Sequence, residues 1–381
     1  MFYIKKITIP CIGGDGIGPE VIAEGKKAIE AAAQLDNIDV EWIDYDIGSN
    51  RYLKTGKLIT DDELEEMSHY PSIYLGAVGD PRVKPGVLEQ GIIIRMRVFF
   101  DEYINLRPVI LYPGVESPLR DKSDANIQIY IVRENTEDLY SDFGLNISDH
   151  AQHTFSRELK RKLYDIRFDV TSSFAGSGKY SYQLGYLTES NCERVFDYSF
   201  ELSRKKGLNR VITADKANVM PMYDLWREVF DKVGAKYPGV KTDKFFADAL
   251  SMWLVRKPEE LKGVIVLPNL FGDILSDLGA AIQGGLGLAP GGNINPNGTS
   301  MFEPIHGSAP SYARKNASNP IATILAGSML LEHMGLTSSS VRIERSVAKV
   351  LQEKKFRTYD LGGKSTTSEV GDEIVRNILE T

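Results

Sequence analysis

The amino-acid sequence predicts an α/β protein with a largely parallel sheet. Strand-like and helix-like stretches alternate along the chain, which is the pattern of parallel sheets covered by helices. The 381 residues correspond to about two and a half average domains. Hydrophobic residues make up 42% and charged residues 25% of the chain, which are ordinary globular values. Disordered, collagen-like and coiled-coil proteins are therefore excluded.

The first two elements are a strand and a helix joined by a glycine turn. Ile7, Ile9 and Cys11 alternate toward one face, as in a strand. Pro19 stands where a first helical residue would, and apolar residues then recur at helical spacing over residues 21–35. Further strands are predicted at residues 43–47, 72–78, 127–131, 210–213 and 263–267. Further helices are predicted at residues 192–206, 320–334 and 341–354.

Residues 145–190 fit neither pattern. They are polar, dense in charge and rich in Ser, Gly and Tyr, with no clear period. A loop of that length without structure is uncommon in a compact domain. We expect a hairpin or an arm there, ordered by a partner subunit.

Composition limits the partners and the compartment. The chain has 45 Lys and Arg against 52 Asp and Glu, a net charge of −7, without the basic block that nucleic-acid binding needs. No apolar stretch approaches the roughly 18 residues of a membrane span, and no apolar signal segment is found at the N-terminus. Cys11 and Cys192 are the only cysteines, so a disulfide framework is excluded and a cytoplasmic protein is expected.

The turn over residues 13–20 is not the fingerprint of a Rossmann dinucleotide site. Gly14 and Gly16 are followed by Pro19, where the G-x-G-x-x-G pattern needs glycine. The start of the helix still offers unpaired backbone N–H groups to an anion or an amide. A generic glycine turn is the alternative.

Three aspartates are candidates for a metal site. Asp273 and Asp277 follow a predicted buried strand, and in a helix their carboxylates would lie on one face. Such a pair repels unless it is solvated or shares a cation, and Mg²⁺ and Mn²⁺ prefer carboxylate oxygens. Asp248 could complete the site, although spacing alone does not decide between a metal site and a solvated helix face.

Three arginines, Arg97, Arg107 and Arg133, lie in otherwise apolar or strand-like surroundings. Arginine is rarely buried without a carboxylate. Either they form internal ion pairs with Glu134 or Asp101, or they converge on a dicarboxylate substrate through bidentate contacts.

Lys216, Tyr140 and His306 have side chains that could serve acid–base chemistry. Lys216 follows the C-terminal end of a predicted strand, where α/β proteins place ligands. Position alone favours an inert surface residue for each of the three.

Taken together, six blocks of the sequence resemble, in order, the β-decarboxylating dehydrogenases. That family includes dehydrogenases of 3-isopropylmalate, isocitrate, homoisocitrate and tartrate or D-malate. The blocks are residues 14–21, 105–108, 133–140, 215–219, 269–277 and 302–310 with 319–320. The resemblance covers nearly the whole chain, and it implies a two-domain α/β fold with a mixed parallel sheet and a non-Rossmann cofactor site. It also implies a cofactor-binding domain of residues 1–108 and 285–381, and a substrate, metal and dimerisation domain of residues 109–284.

The resemblance assigns a role to each candidate. The three arginines match the family's clamp on the carboxylate that is lost, and the three aspartates match its Mg²⁺ or Mn²⁺ ligands. Lys216 and Tyr140 match its acid–base pair. A homodimer is implied, in which Lys216 and Asp248 reach the active site of the neighbouring subunit and Asp248 also contacts the substrate.

The implied reaction is the oxidative decarboxylation of a small 2-hydroxy dicarboxylate. The metal would chelate the C2 hydroxyl and the adjacent carboxylate, and Lys216 would take the hydroxyl proton as a hydride passes to nicotinamide. The resulting β-keto acid would lose CO₂ because the metal stabilises the enolate. Tyr140 would help to protonate the enol carbon.

The resemblance places His306 and Asn319 against the adenine of the cofactor. The other matching cofactor positions are Gly14, Ile17, Glu303, Gly307, Ser308, Ala309, Pro310 and Ser311. NAD-dependent members follow the Pro310 position with Asp, and NADP-dependent isocitrate enzymes with Lys-Tyr, whereas this chain has Ser311-Tyr312. NAD is expected, with NADP as the alternative.

The segment of residues 88–97 lies where the family reads the variable group of its substrate. Isocitrate dehydrogenases place Ser and Asn there for a third carboxylate, whereas the aliphatic run with Ile92 and Ile93 suits an isopropyl group. We therefore expect oxidation of 3-isopropylmalate to 2-oxoisocaproate, in leucine biosynthesis. The alternatives are a D-malate or tartrate dehydrogenase, an isocitrate or homoisocitrate dehydrogenase, and a non-catalytic regulatory subunit.

Overall fold

The computed structural model of the chain describes residues 5–122, 126–141, 143–147, 153–176 and 178–381. Strands and helices alternate along most of it, which confirms the predicted α/β class. The strands are β1 (Lys5–Gly14), β2 (Ile38–Asp44), β3 (Ser72–Ala77), β4 (Ile104–Ile110), β5 (Gln128–Glu134), β6 (Gly144–Ile147), β7 (His153–Lys160), β8 (Asp165–Ser172), β9 (Tyr180–Gln183), β10 (Arg210–Asp215), β11 (Lys241–Phe246), β12 (Gly263–Leu267), β13 (Pro290–Ile294) and β14 (Ser300–Pro304). The α-helices are α1 (Gly18–Gln34), α2 (Ser49–Thr55), α3 (Asp61–Met67), α4 (Arg95–Phe99), α5 (Glu189–Lys205), α6 (Met222–Gly234), α7 (Ala247–Arg256), α8 (Asn269–Ile282), α9 (Ile321–His333), α10 (Thr337–Glu353) and α11 (Thr367–Leu379).

Ten of these strands form one sheet, in the order β11-β10-β12-β5-β4-β13-β14-β3-β1-β2. At one end β11, β10, β12 and β5 are mutually parallel. At the other end β14, β3, β1 and β2 are mutually parallel. Three antiparallel pairings join the two arrays, β5 with β4, β4 with β13, and β13 with β14. The arrays therefore run in opposite directions, and the sheet is mixed, as expected.

The central strands are apolar because helices cover both faces of the sheet. Every residue of β12 is buried, and α5 packs against it while α8 packs against β5. Helix α9 is buried along almost its whole length and packs against β13 and β14. This rigid centre positions the loops that follow β5, β10, β11 and β12.

One predicted strand is displaced along the chain. The alternation over residues 43–47 indicated a strand there, but β2 ends at Asp44. The reason is the register of parallel pairing, in which Lys5 to Cys11 of β1 face Ile38 to Asp44. The strand therefore forms as soon as the chain returns from α1.

The segment predicted to form a hairpin or arm does contain antiparallel strands in its described residues. Strand β7 pairs with β8, and β6 pairs with β9. Both β7 and β8 alternate half-buried and exposed side chains, as expected when only one face is covered. Ordering by a partner subunit stays a prediction.

Cys11 and Cys192 are both buried and free, in agreement with the predicted absence of a disulfide framework. Among the helices of the described chain, none is long and apolar enough to cross a membrane.

Candidate active site

The functional side chains come from strand ends that meet at one edge of the sheet. Because β11, β10, β12 and β5 are parallel, the loops after them lie side by side. Arg133 stands near the end of β5, and Asp273 and Asp277 lie on α8, directly after β12. Lys216 follows β10, and Asp248 lies in the first turn of α7, after β11.

Two arginines and two aspartates form ion pairs across this edge, and we call these four residues the guanidinium cluster. Arg133 donates through Nη1 to Oδ1 of Asp273. Nη1 of Arg107 lies 3.1 Å from Oδ1 of Asp277, and its Nη2 lies 3.5 Å from Oδ1 of Asp273. Both arginine side chains are almost completely buried. The cluster thus joins two of the predicted clamp residues to two of the predicted metal ligands.

Neutral side chains hold the arginines in place. Nε of Arg133 donates to Oδ1 of Asn269 over 2.8 Å. Arg107 donates through Nε to Asn105 over 2.9 Å and through Nη1 to Oγ of Ser276 over 2.7 Å. Sequence reasoning did not assign Asn105, Asn269 or Ser276 to the site. Their only signal is that they stand inside the same sequence blocks as the charged residues.

Arg97 joins the cluster indirectly. Its Nη2 lies 3.6 Å from Oε1 of Glu303, which accepts a 2.7 Å hydrogen bond from Asn293. Asn293 in turn accepts a 2.7 Å hydrogen bond from Asn105. Glu303 was predicted to bind the cofactor, and here it pairs with a clamp arginine. Its cofactor role stays a prediction.

The alternative of internal ion pairs between the three arginines and Glu134 or Asp101 is wrong about these two carboxylates. Asp101 pairs with Arg194. Glu134 accepts hydrogen bonds from the backbone of residues 136 and 137 and from Asn191. The three arginines pair instead with carboxylates from α8 and from β14.

Tyr140 lies against the guanidinium cluster. Its hydroxyl donates to Oδ2 of Asp273 over 2.5 Å, and the guanidinium of Arg133 lies 4.9 Å from its ring centre. Burial and the bond to Asp273 raise the pKa of Tyr140. Burial acts against ionisation of Asp273, but Arg133 and Tyr140 hold the pKa of this carboxyl below its usual value. The side chain of Tyr140 is 43% exposed, so a ligand in the cleft could reach it.

Lys216 and Asp248 form a second, separate pair. Nζ of Lys216 lies 2.6 Å from Oδ1 of Asp248, and the Asp248 side chain is 68% exposed. The lysine holds the pKa of Asp248 below its usual value. In the described residues of one chain, no three His, Cys, Asp or Glu side chains are grouped as metal ligands. A single chain therefore brings Asp273 and Asp277 together but not the predicted third ligand.

The aliphatic segment of residues 88–97 is helical and packs against a core cluster. Residues 89–94 form a π-helical turn that leads into α4. Ile92 is fully buried with Leu88 and Met96 in a core cluster, and Ile93 packs at its margin. Contact of Ile92 and of Ile93 with the substrate stays a prediction.

Some of the predicted cofactor residues meet at the start of α1. Gly14 has a positive φ of 73°, and the backbone N–H of Ile17 donates to the carbonyl of Ser308 over 2.8 Å. A Cβ at Gly16 would lie 1.8 Å from that same carbonyl oxygen, so only glycine permits the contact. The glycine turn and the loop over residues 306–310 therefore touch.

Two further predicted residues, His306 and Asn319, differ in their partners. His306 hydrogen-bonds the Gly307 carbonyl through Nδ1 over 3.0 Å, while its buried Nε2 has no partner among the described residues. Asn319 donates to Asp360 over 3.0 Å. The tyrosine after Ser311, Tyr312, stacks on Tyr359 with ring centres 5.2 Å apart. Sequence reasoning did not single out Asp360 or Tyr359.

Comparison with known proteins agrees with this fold. Residues 8–374 match the family model described as isocitrate/isopropylmalate dehydrogenase. The chain belongs to this family, which confirms the resemblance.

Individual relatives are similar over almost their full length. The 3-isopropylmalate dehydrogenase of Thermobifida fusca (strain YX) is 38% identical over 379 residues, which cover 99% of each chain. That of Corynebacterium glutamicum (strain ATCC 13032) is 41% identical over 376 residues, 97% of this chain and 99% of the relative. The crystal structure of isocitrate dehydrogenase from Methylococcus capsulatus superposes with a TM-score of 0.81 at 30% identity, covering 98% of this chain and 99% of the other.

Proposed function

We propose that this protein catalyses the metal-dependent oxidative decarboxylation of 3-isopropylmalate to 2-oxoisocaproate with reduction of NAD, a step of leucine biosynthesis. The curated relatives bear the name of this activity over nearly the whole chain. The observation that carries the proposal is the guanidinium cluster with Tyr140 bonded to it. We further propose a cytoplasmic homodimer with shared active sites.

The charges of the site suit a dicarboxylate that binds together with a divalent cation. The three clamp arginines face three carboxylates, those of Asp273, Asp277 and Glu303. A doubly negative substrate and a doubly positive ion would add no net charge to this site. Either ligand alone would leave an uncompensated charge, which is costly beside the two buried arginines, Arg107 and Arg133.

The donor set fits Mg²⁺ or Mn²⁺, since both prefer carboxylate oxygens. Asp273 and Asp277 lie one helical turn apart on the exposed side of α8, with side chains 36% and 59% exposed. They would hold the ion together with Asp248 of a second copy of the chain. The ion, when bound, supplies Lewis-acid polarisation of the substrate oxygens.

The remaining chemistry belongs to side chains of the protein. Arg97, Arg107 and Arg133 would hold the carboxylates of the substrate through planar, bidentate contacts. Lys216 would accept the proton of the C2 hydroxyl as the hydride leaves C2. Tyr140 would deliver a proton to the enol carbon after CO₂ has left.

The predicted cofactor residue His306 offers a suitable contact for adenine. Nδ1 of His306 donates to a carbonyl, which leaves the buried and unpartnered Nε2 as an acceptor for an exocyclic amine. Burial also lowers the pKa of His306, which favours this neutral form. No basic residue stands at position 311 to attract a 2′-phosphate, so NAD is the proposed cofactor.

A matrix of substrates and cofactors tests the proposal. The purified, metal-loaded protein should turn over 3-isopropylmalate with NAD faster than D-malate, tartrate, isocitrate or homoisocitrate with either cofactor. Activity should disappear with EDTA and return with excess Mg²⁺ or Mn²⁺. Faster use of isocitrate would refute the substrate assignment, and no turnover of any substrate would favour the non-catalytic alternative.

A further inference from the structure

A cavity of about 350 Å³ lies on the face of the sheet opposite the guanidinium cluster. Side chains of a strand alternate between the two faces of its sheet. Leu106 and Pro108 of β4 line the cavity, whereas Asn105 and Arg107 of the same strand face the cluster. Phe302 of β14 also lines it. The cavity is therefore directly behind the candidate active site and shares no side chain with it.

The walls are mostly apolar and aromatic. Helices α5, α9 and α10 close the space over the sheet, and Leu325 and Met329 of α9 supply aliphatic surface. The rings of Tyr112, Tyr130 and Tyr198 form another wall. A volume of this size, with apolar walls and a group of charged side chains on its helical side, is compatible with a small-molecule site.

Two lysines at the cavity share one carboxylate, that of Glu332, so one of their two positive charges stays unbalanced. Nζ of Lys206 lies 3.0 Å from both carboxylate oxygens of Glu332, and Nζ of Lys205 lies 3.1 Å from one of them. Glu201, also in the lining, lies 3.6 Å from Arg204. Burial lowers the pKa of His333, which keeps this neighbouring ring neutral near pH 7.

Among the carboxyls that line the cavity, Glu344 alone has no ion pair with the described residues. It is half-buried, and no lysine or arginine of the described chain lies within 4 Å of it. Burial raises the pKa of Glu344, and the more distant Lys206 and the Ser328 hydroxyl oppose that effect only in part. A cation placed beside this carboxylate would relieve the cost of its burial.

We propose that this cavity binds a small organic ammonium compound with an aliphatic body. The ammonium group would pair with Glu344 and face the tyrosine rings, which attract cations. The aliphatic body would cover Leu325 and Met329. An aliphatic amine and an apolar amino acid share this chemistry. Only the amino acid has a carboxylate that could reach Lys205 and Lys206.

Isothermal titration calorimetry of the full-length protein tests the proposal with three matched probes. The probes are 3-methylbutylamine, L-leucine and 4-methylpentanoate, which share a branched aliphatic body and differ in charge. The amine or leucine should bind, and Glu344→Gln should weaken that binding about tenfold or more through loss of the charged contact. Glu353→Gln, which removes an acid from the far end of the same helix, should bind as the wild type does.

A second variant, Ile110→Phe, adds bulk to the cavity wall and should also weaken binding, provided that thermal unfolding shows it to be folded. Tighter binding of leucine than of the amine would identify amino acids as the ligand class, and the reverse would identify amines. The proposal is overturned if neither probe binds, if Glu344→Gln binds as tightly as the wild type, or if 4-methylpentanoate binds as well as the amine. None of these results depends on turnover.

Discussion

Arg133 shows how one buried cation is fixed at the edge of the sheet. Its side chain is 1% exposed, and it contacts Asn269, Asp273 and the ring of Tyr140. Helix α8 can approach so closely because residue 272 is glycine, where a Cβ would lie 2.6 Å from the Cβ of Arg133. An arginine without these partners would be costly in such a place. The cluster is therefore organised by the protein itself.

Replacing Lys216 by alanine should remove the proposed proton acceptor. We expect kcat to fall about a hundredfold or more, since general base catalysis contributes that much. The proposed dimer should persist, because the residue lies in a partly exposed loop. Steady-state kinetics and size-exclusion chromatography measure the two effects. Lys244→Ala, which removes another lysine with an exposed partner, is the control. Near-normal rates in Lys216→Ala would remove this lysine from the mechanism.

Ser311 provides a test of cofactor choice. The resemblance associates an aspartate at this position with NAD, because a carboxylate accepts hydrogen bonds from the ribose hydroxyls and repels a 2′-phosphate. Ser311→Asp should therefore raise the ratio of kcat/KM for NAD to that for NADP about tenfold or more, a change of roughly 1.4 kcal/mol. An unchanged or lower ratio would show that the ribose does not lie beside residue 311.

At this scale the sequence predicts charged residues better than their neutral partners. Asp273, Asp277 and Arg133 could be found because their charge stands out in apolar surroundings. Asn105 and Ser276, which bond Arg107, are far apart in the chain. Uncharged polar residues are common on any surface, and only the folded sheet shows that these two converge.

The loop after β5 is an element with an acidic interior. Glu137 and Asp138 are both buried. Glu137 accepts hydrogen bonds from the backbone and hydroxyl of Thr188 and from Tyr164, between β7 and β8. Burial and the nearby Glu134 raise the pKa of Glu137 to about 7, and burial raises the pKa of Asp138 to about 6. The loop joins the arm to the sheet through groups that titrate near neutrality.

This loop should make the protein less stable as the pH rises. Between pH 5 and 8 Glu137 and Asp138 bind more protons in the folded state than in the unfolded state, because their pKa values are raised, so their contribution to stability falls with rising pH. Glu137→Gln should reduce this dependence of the free energy of unfolding on pH. At about 1.4 kcal/mol per pKa unit, the part that Glu137 contributes between pH 5 and 8 is roughly 3 kcal/mol. Urea unfolding at each pH measures the free energy.

The wild type and Glu137→Gln are compared by how their free energies of unfolding change with pH and not by the absolute values, since glutamine also loses an acceptor oxygen at every pH. Glu189→Gln, an exposed acid at the start of α5, should keep the wild-type slope. An identical slope in Glu137→Gln would show that Glu137 titrates normally in the folded protein.

The sequence predicted helices and strands well where the hydrophobic periodicity is strong. It predicted them less well where pairing between strands sets the position of an element. The helices around residues 192–206 and 320–334 lie within a few residues of α5 and α9. The strand expected at 43–47 was displaced because its register depends on β1. An aliphatic run does not reveal which of its side chains turn inward, and only the folded chain shows that Ile92 is in the core.

For the molecule as a whole, the separation of the Lys216–Asp248 pair from the guanidinium cluster predicts active sites that are shared between subunits. Lys216 and Asp248 bond each other and not the guanidinium cluster of their own chain. If they serve the neighbouring cluster, inactive Lys216→Ala and Asp277→Asn chains should complement each other when co-refolded. Random pairing in a two-fold dimer gives about a quarter of the wild-type activity, since half of the dimers are mixed and each has one intact site.

Mixing Lys216→Ala with Asp248→Asn provides the control, because both changes then lie in the same shared pair and no dimer gains an intact site. Activity restored only in the first mixture would support sharing. Equal, negligible activity in both mixtures would place Lys216 with the cluster of its own chain.

The fold class and the family could be predicted from the sequence. The antiparallel strands that connect the two parallel arrays of the sheet could not. A division near residues 108 and 285 remains our proposal for the domains. The first of these positions lies inside β4, a strand of the continuous sheet. Antiparallel pairings such as β4 with β13 join residues almost 200 positions apart, and no local pattern predicts them.

That long-range connection has a consequence for synthesis on the ribosome. The hairpin of β13 and β14 is inserted between β4 and β3, so both of these strands lack a neighbour until residue 304 has been translated. Unpaired strand edges are templates for aggregation. A nascent chain shorter than this should therefore be a preferred client of holding chaperones, and release from them should coincide with emergence of the hairpin.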